Sequence, residues 1–207
     1  MGSFAELAAA CGVRHLVLLA DRGAAEAERC EQAVRDSGTE WTIVRAGFIT
    51  QNFSEAFLLE QVRAGVVALP VGDVAEPFTD AEDIADVAVA ALTENGHAGR
   101  IHDVTGPRLI TFADAVDEIA KVTHKEVRYL PVTPEGFVSS LTRRGVAAEY
   151  ATQLTSLMVE VFDGRRANVT DTVQRVLGRP PHDFTEYVRA TAATGIWDAH
   201  AESSGGA

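Results

Sequence analysis

Apolar positions in the first part of the chain fall into two different patterns. Residues 15–20 form a continuous apolar run, which is typical of a strand buried on both faces of a parallel sheet. Residues 24–37 instead carry their apolar side chains on one helical face, and residues 41–44 form a second apolar run. A strand, a helix and a strand with tight connections predict a βαβ unit, in which the two strands are parallel.

The remaining pattern predicts short strands, further helices and then an almost entirely helical C-terminal part. Asp80 and Thr111 are placed to cap two of these helices, and Asp83 is placed as the reciprocal capping residue of the first. From residue 134 onward the helical pattern is broken only at glycine-containing turns. The predicted strands are 66–71, 100–105 and 127–132, and the predicted helices before residue 134 are 53–64, 80–93 and 112–120.

This order of elements predicts an α/β fold with a parallel sheet, followed by a helical region that acts as a lid over a substrate. We place the sheet region at residues 1–133, the helical region at 134–201 and a flexible tail at 202–207. In open α/β sheets, ligands bind beyond the carboxyl ends of the strands. A site is therefore expected just after Ala20 and Val44.

Charge and composition exclude several classes of protein. The chain has 207 residues with 18 basic and 30 acidic side chains, a net charge of −12, so it lacks the basic face of a nucleic-acid binder. No apolar run approaches the roughly 18 residues of a membrane helix, and no signal peptide is visible, so a cytoplasmic protein is expected. Two cysteines and six scattered histidines predict neither a disulfide framework nor a metal site.

Motifs spread over nearly the whole chain carry a family resemblance. They are Gly-Val-Arg-His-Leu-Val-Leu-Leu-Ala at 12–20, Trp-Thr-Ile-Val-Arg-Ala-Gly-Phe at 41–48, Gln-Asn-Phe at 51–53, Pro-Phe-Thr-Asp-Ala-Glu-Asp-Ile-Ala-Asp-Val-Ala at 77–88, His-Asp-Val-Thr-Gly-Pro at 102–107 and Leu-Gly-Arg-Pro-Pro at 177–181. In these motifs the chain resembles the NmrA-like group of atypical short-chain dehydrogenase/reductases. The resemblance implies a Rossmann fold that binds NAD(P), in a reductase or in a nucleotide-sensing regulator.

Two expected features of that family are missing from the sequence. The family's glycine-rich turn, which brings the backbone close to the pyrophosphate, has no counterpart, since the single Gly-x-x-Gly at Gly96–Gly99 follows a predicted helix. Ala20 stands where many relatives have serine, and none of the three tyrosines has a lysine four positions later. We therefore interpret the chain as a truncated Rossmann-like member that binds no cofactor, with NAD(P) expected only if a missing N-terminal half is supplied.

A polar group is expected to carry the chemistry. Asp21 is a candidate general base, while Arg45, Gln51 and Asn52 are candidates to hold a developing oxyanion. Structural alternatives are a turn and helix cap for Asp21, a loop contact for Arg45, and caps of the next helix for Gln51 and Asn52. The predicted apolar walls of a substrate pocket, which a core stripe would equally explain, are Phe48, Phe137, Tyr150, Leu154, Met158 and Phe162.

Three functions remain open at this point. The first is a cofactor-independent cyclase, isomerase or dehydratase of specialised metabolism, which acts on a small molecule and has lost the dinucleotide half. The second is an NAD(P)-dependent oxidoreductase whose N-terminal half is missing from this chain. The third is a non-catalytic ligand-binding or regulatory module. In all three, the unpaired edge of a shortened sheet predicts a homodimer, with neither a nucleic acid nor a membrane as partner.

Overall fold

A computed structural model of the chain describes residues 1–198, and the predicted tail at 202–207 lies outside the described residues. Within that range the chain alternates strands and helices before it ends in four helices. The strands are β1 (His15–Asp21), β2 (Glu40–Ala46), β3 (Val66–Leu69), β4 (Ala75–Glu76), β5 (Arg100–Val104), β6 (Ile110–Thr111) and β7 (Arg128–Pro131). The helices are α1 (Gly2–Ala10), α2 (Ala25–Arg35), α3 (Leu59–Arg63), α4 (Ala81–Thr93), α5 (Phe112–Thr123), α6 (Pro134–Arg143), α7 (Ala148–Val161), α8 (Thr172–Leu177) and α9 (Phe184–Ala193).

The main sheet is three-stranded and parallel, in the order β1-β2-β5. In β1 and β2 the register runs from His15 opposite Glu40 to Asp21 opposite Ala46. The two predicted apolar runs are therefore neighbouring parallel strands, as the βαβ interpretation required. The predicted α/β fold class is confirmed.

Strand β1 lies at the edge of this sheet and pairs, among the described residues, with β2 alone. Its Leu19 is 55% exposed, and the preceding helix α1 exposes Phe4 and Leu7 to 63% each. A continuous apolar run thus forms a strand that is only partly covered. The homodimer through this edge stays a prediction.

Two small sheets and a large apolar core lie beside the main sheet. Strand β3 pairs with β7 in parallel, and β4 pairs with β6 in antiparallel. The larger hydrophobic cluster joins Phe48 of the sheet region to Met158 and Trp197 of the C-terminal helices. The helical region therefore shares its core with the sheet region.

The predicted helix at 53–64 is broken into two short pieces. A 3₁₀ turn spans Thr50–Phe53, and α3 begins only at Leu59. The carbonyl of Phe53 accepts a hydrogen bond from the indole Nε1 of Trp197 at 2.8 Å, so it is engaged outside the local helix. This tertiary contact, distant in sequence, replaces the helical bond that the local pattern predicted.

The N-terminus of α4 matches one capping prediction and corrects the other. The Asp80 carboxylate accepts from the Glu82 backbone N–H at 2.9 Å, as an N-cap does. Asp83 is not the reciprocal capping residue. Its fully buried carboxylate accepts from the Arg179 guanidinium at 2.6 Å and from the His182 backbone N–H at 2.8 Å, so it anchors the turn before α9.

Membrane insertion by a helix finds no support in this part of the chain. Among residues 1–198, no helix is both long enough and apolar enough to cross a bilayer.

The Asp83–Arg179 pair leads to a test of stability. We expect Asp83→Ala to lower the free energy of unfolding by about 3 kcal/mol, because it removes the buried acceptor of the Arg179 guanidinium and of the His182 backbone N–H. Asp86→Ala is the matched control, since Asp86 binds the same guanidinium at 2.6 Å but is 56% exposed in its side chain. Loss of the Asp86 carboxylate should lower the free energy of unfolding by about 1 kcal/mol or less. Equal losses in urea denaturation would contradict this account.

His102 on β5 provides a test of pH dependence. Its ring is buried and lies 2.9 Å from His97, and burial, with His97 and two arginines, lowers its pKa from 6.5 to about 4. Because the folded pKa is the lower one, His102 adds stability that is present above pH 6.5 and is lost as the pH falls toward 4. Between pH 7 and pH 5 we expect the titration of His102 alone to lower the free energy of unfolding by about 2 kcal/mol.

The measurement compares urea unfolding of the wild type and His102→Gln at both pH values. The variant should lose about 2 kcal/mol less than the wild type on acidification, since the glutamine does not titrate. Parallel pH dependence in the two proteins would show that His102 does not contribute.

Candidate functional site

A cavity of about 230 Å³ opens at the carboxyl ends of β1 and β2, with helix α7 forming its opposite wall. Two of its lining residues, Asp21 and Asn52, carry polar side chains, and the rest of the wall is apolar or glycine. The lining residues are Asp21, Gly47, Phe48, Ile49, Asn52, Phe57, Leu154, Leu157, Met158, Val161 and Phe162.

Six of the residues singled out in the sequence meet at this cavity. Asp21 is the last residue of β1, Asn52 lies in the 3₁₀ turn that follows β2, and four apolar residues complete the set. The rings of Phe48 and Phe162 lie 5.9 Å apart, so the sheet side and the helical side of the wall are in contact. The four apolar members are Phe48, Leu154, Met158 and Phe162.

Tyr150 and Phe137 do not line this cavity. Tyr150 lies one turn before Leu154, near the N-terminal end of α7, and the part of α7 that lines the cavity begins only at Leu154. Tyr150 is 60% exposed. Phe137 on α6 is buried in the apolar core instead. The missed residues Leu157 and Val161 follow the helical period from Leu154.

Asp21 brings a carboxylate to an otherwise apolar wall. Desolvation by the surrounding protein raises the pKa of the Asp21 carboxyl, Arg166 opposes that shift, and Glu160 adds to it. The residue remains solvent-accessible as a whole. Its position allows direct contact with a molecule in the cavity, while the predicted role in proton transfer stays a prediction.

Asn52 brings a carboxamide to the same wall. Its backbone is held by the 3₁₀ turn, where its N–H donates to the Ile49 carbonyl at 3.1 Å and its carbonyl accepts from the Leu58 N–H at 3.2 Å. Within residues 1–198 its side chain has no hydrogen-bond partner, so both the donor and the acceptor of the amide are available to a ligand.

Arg45 does not join Asp21 at the cavity, contrary to the expectation from sequence. Its guanidinium donates through two nitrogens to both carboxylate oxygens of Glu31 on α2, each at 2.6 Å. The Glu31 side chain is 2% exposed and also binds Arg35, so it needs this positive charge close by. Arg45 therefore joins α2 to the sheet, and its charge is not available to an oxyanion in the cavity.

Gln51 is likewise held elsewhere, although it neighbours Asn52. Its Nε2 donates to Asp80 at 2.9 Å, and its Oε1 accepts from the Ala81 backbone N–H at 2.9 Å. Both ends of the amide are thus used to fix the start of α4. Gln51 does cap a helix, as one of the structural alternatives stated. The helix is α4, whose Ala81 lies 30 residues further along the chain, and not the helix predicted directly after Gln51.

A pair of arginines, which the sequence analysis did not assign, fixes the edge of the site. Buried Arg22 binds Asp103 at 2.8 Å and donates to the backbone carbonyl of Arg166 at 2.8 Å. The Arg166 side chain lies across Gly23 and donates to its carbonyl. Gly23 has a φ of +87°, which favours glycine, and a Cβ there would meet the Arg166 guanidinium. These contacts hold the loop after α7 against the end of β1.

One cluster of possible metal ligands lies away from the cavity. Atoms of Asp80, Glu82 and His182 are within 4.8 Å of one another. Asp80 already caps α4, and His182 Nδ1 lies 2.9 Å from the buried Asp83 carboxylate. Two of the three side chains, Asp80 and His182, are therefore already engaged with neighbouring groups.

Comparison with known proteins gives related sequences and related structures. The NmrA-like family model matches residues 25–188. An NAD(P)H azoreductase of Xenophilus azovorans is 33% identical over 192 residues, covering 88% of this chain and 66% of that protein. A (4-alkanoyl-5-oxo-2,5-dihydrofuran-3-yl)methyl phosphate reductase of Streptomyces griseus is 34% identical over 88% of this chain and 68% of its own length. The chain thus spans about two thirds of the length of these relatives.

Solved structures agree on the fold. The NADPH complex of the NADPH-dependent quinone oxidoreductase QOR2 from Escherichia coli superposes with a TM-score of 0.79 at 23% identity. The superposition covers 91% of this chain and 69% of the oxidoreductase. This likeness supports the α/β fold.

The comparisons overturn two expectations from the sequence. A cofactor-independent, non-redox enzyme was expected, but the relatives named above are NAD(P)H-linked or other reductases. The expectation that the chain binds no cofactor is also wrong. One relative is named for NAD(P)H, and a structural neighbour was solved with NADPH bound. With its match to the family model over most of its length, the chain belongs to the NmrA-like family.

Proposed function

We propose that this chain forms the acceptor-binding part of an NAD(P)H-dependent reductase. The observation that carries the proposal is the cavity at the carboxyl ends of β1 and β2, where an aromatic and aliphatic wall holds two isolated polar groups. Ligands of parallel α/β sheets bind at that edge. The 33% identity to an NAD(P)H azoreductase over 88% of the chain supports the same class of reaction.

The cavity fits part of the cofactor that the family implies. Among the described residues, no arginine or lysine lines it, so the wall suits an uncharged ring and not a pyrophosphate. Gly47 and Ile49, directly after β2, offer an uncharged surface for a nicotinamide ring. NAD(P)H, when bound, supplies the hydride for reduction.

The residues of the chain would bind the acceptor, orient it and exclude water. Phe48, Phe162 and Met158 cover its faces, and removal of water strengthens each polar contact that remains. Asn52 and Asp21 would fix its orientation, since among the described lining residues these two have side chains that can form hydrogen bonds with a ligand. Orientation of this kind lowers the barrier of a transfer reaction by removing the freedom of the reactants beforehand.

The residues that line the cavity indicate the class of acceptor more clearly than the names of the relatives do. One relative is named for azo compounds and the other for a furan phosphate, so their names do not agree on a substrate. Aromatic and methionine side chains at the cavity favour a flat, polarisable molecule. An aromatic acceptor such as a quinone or an azo compound fits this description.

A substitution that fills the cavity tests the proposal. Leu157 lines the cavity but is 43% exposed, so Leu157→Trp adds volume at the site without overpacking the core. We expect at least about tenfold weaker binding of menadione, a quinone probe, by isothermal titration calorimetry. NADPH oxidation at 340 nm, measured with menadione present, should fall in parallel.

Val159→Trp is the control variant. Val159 lies on the same helix and is 45% exposed, but it faces the groove between α6 and α7 and does not line the cavity. Its binding of menadione should stay within about twofold of the wild type. Menadione binding that Leu157→Trp leaves unchanged would place the acceptor elsewhere, and NADPH consumption no faster than in buffer would contradict a reductase.

A further inference from the structure

The distribution of charge in the cavity is one-sided. Asp21 is the single ionisable side chain among the described residues that line it. All other lining residues are apolar or glycine, apart from the neutral amide of Asn52. A molecule that enters therefore meets one carboxylate and no opposing cation in the wall.

The cations nearest to Asp21 are held by other groups. Arg166 interacts electrostatically with Asp21, but it does not line the cavity, and its guanidinium donates to the carbonyls of Gly23 and Val161. Arg22 is buried and paired with the Asp103 carboxylate. Glu160 adds a further negative charge near Asp21, in a chain whose net charge is −12.

We propose that the cavity selects its aromatic ligand by charge, accepting a cationic or hydrogen-bond-donating ring substituent beside Asp21 and rejecting an anionic one. The inference rests on the proposed function, because it concerns the acceptor that the same cavity binds. The carboxylate attracts a cation and repels an anion, and the apolar wall strengthens both effects by excluding water. The faces of Phe48 and Phe162 favour a cation as well.

The size of the effect follows from simple electrostatics. Two unit charges at a protein surface of lower dielectric attract or repel each other several times more strongly than in water. Because Asp21 is partly open to solvent, only part of that strengthening applies. A cationic ligand should therefore bind at least about tenfold tighter than its anionic counterpart.

Three probes that share a naphthalene ring test the proposal on the whole chain. They are 2-naphthylmethylamine, 2-naphthylmethanol and 2-naphthoate, which are cationic, neutral and anionic at neutral pH. Calorimetric titration in low salt should give at least about tenfold tighter binding of the amine than of the naphthoate. In Asp21→Asn and in Asp21→Ser, this difference should shrink to about threefold or less, with folding checked by circular dichroism.

Asp36→Asn is the matched control, because it makes the same change in net charge at an exposed position at the end of α2. It should keep the wild-type preference for the amine. Equal binding of amine and naphthoate by the wild type, or a preference that persists in both Asp21 variants, would overturn the proposal.

Leu157→Trp separates this failure from failure of the proposed function. If 2-naphthylmethanol binds the wild type and Leu157→Trp weakens that binding, the cavity is the aromatic site whatever the charge preference turns out to be. If Leu157→Trp has no effect on any probe, the probes bind elsewhere and both proposals are wrong.

Discussion

The parallel pairing of β1 with β2 is the constraint on which the site depends. Because Asp21 lies opposite Ala46, both strands end at the same height, and the loops that follow them leave the sheet side by side. Asp21 and Asn52 are 31 residues apart in the chain, yet both reach one cavity. A shift of the register by one residue would turn the side chains of β2 to the other face and separate Arg45 from Glu31.

The aromatic core gives this edge its rigidity. Phe48 lines the cavity and also packs against Phe78 and Phe112, with ring centroids 4.9 Å away in both cases. The same cluster continues through Phe53 to Phe184 on α9. One wall of the cavity is therefore part of the core, so the site cannot widen without a loss of core packing. A ligand meets a surface that is already formed.

How far the sequence predicted this arrangement depended on the range of the contacts involved. The strands and the helix between them were predictable, because a continuous apolar run and a one-sided helical pattern are local signals. The role of Arg45 could not be predicted from the sequence, because its partner Glu31 lies on a different element and their contact depends on the strand register. The broken helix after Phe53 depends on Trp197, far away in the chain. Tyr150 was misplaced because the position of the cavity along α7 depends on tertiary packing, and the lining of this helix begins one turn later, at Leu154.

The error about the cofactor has a different origin from the errors about side chains. The lack of a glycine-rich turn suggested a chain without a cofactor, although that turn is one segment of a site built from several. The described residues form an apolar wall with two polar groups at the ends of parallel strands, which the glycine-rich turn does not determine. Because a site combines residues from several loops of a fold, the lack of one motif is a poor guide to the chemistry of the rest.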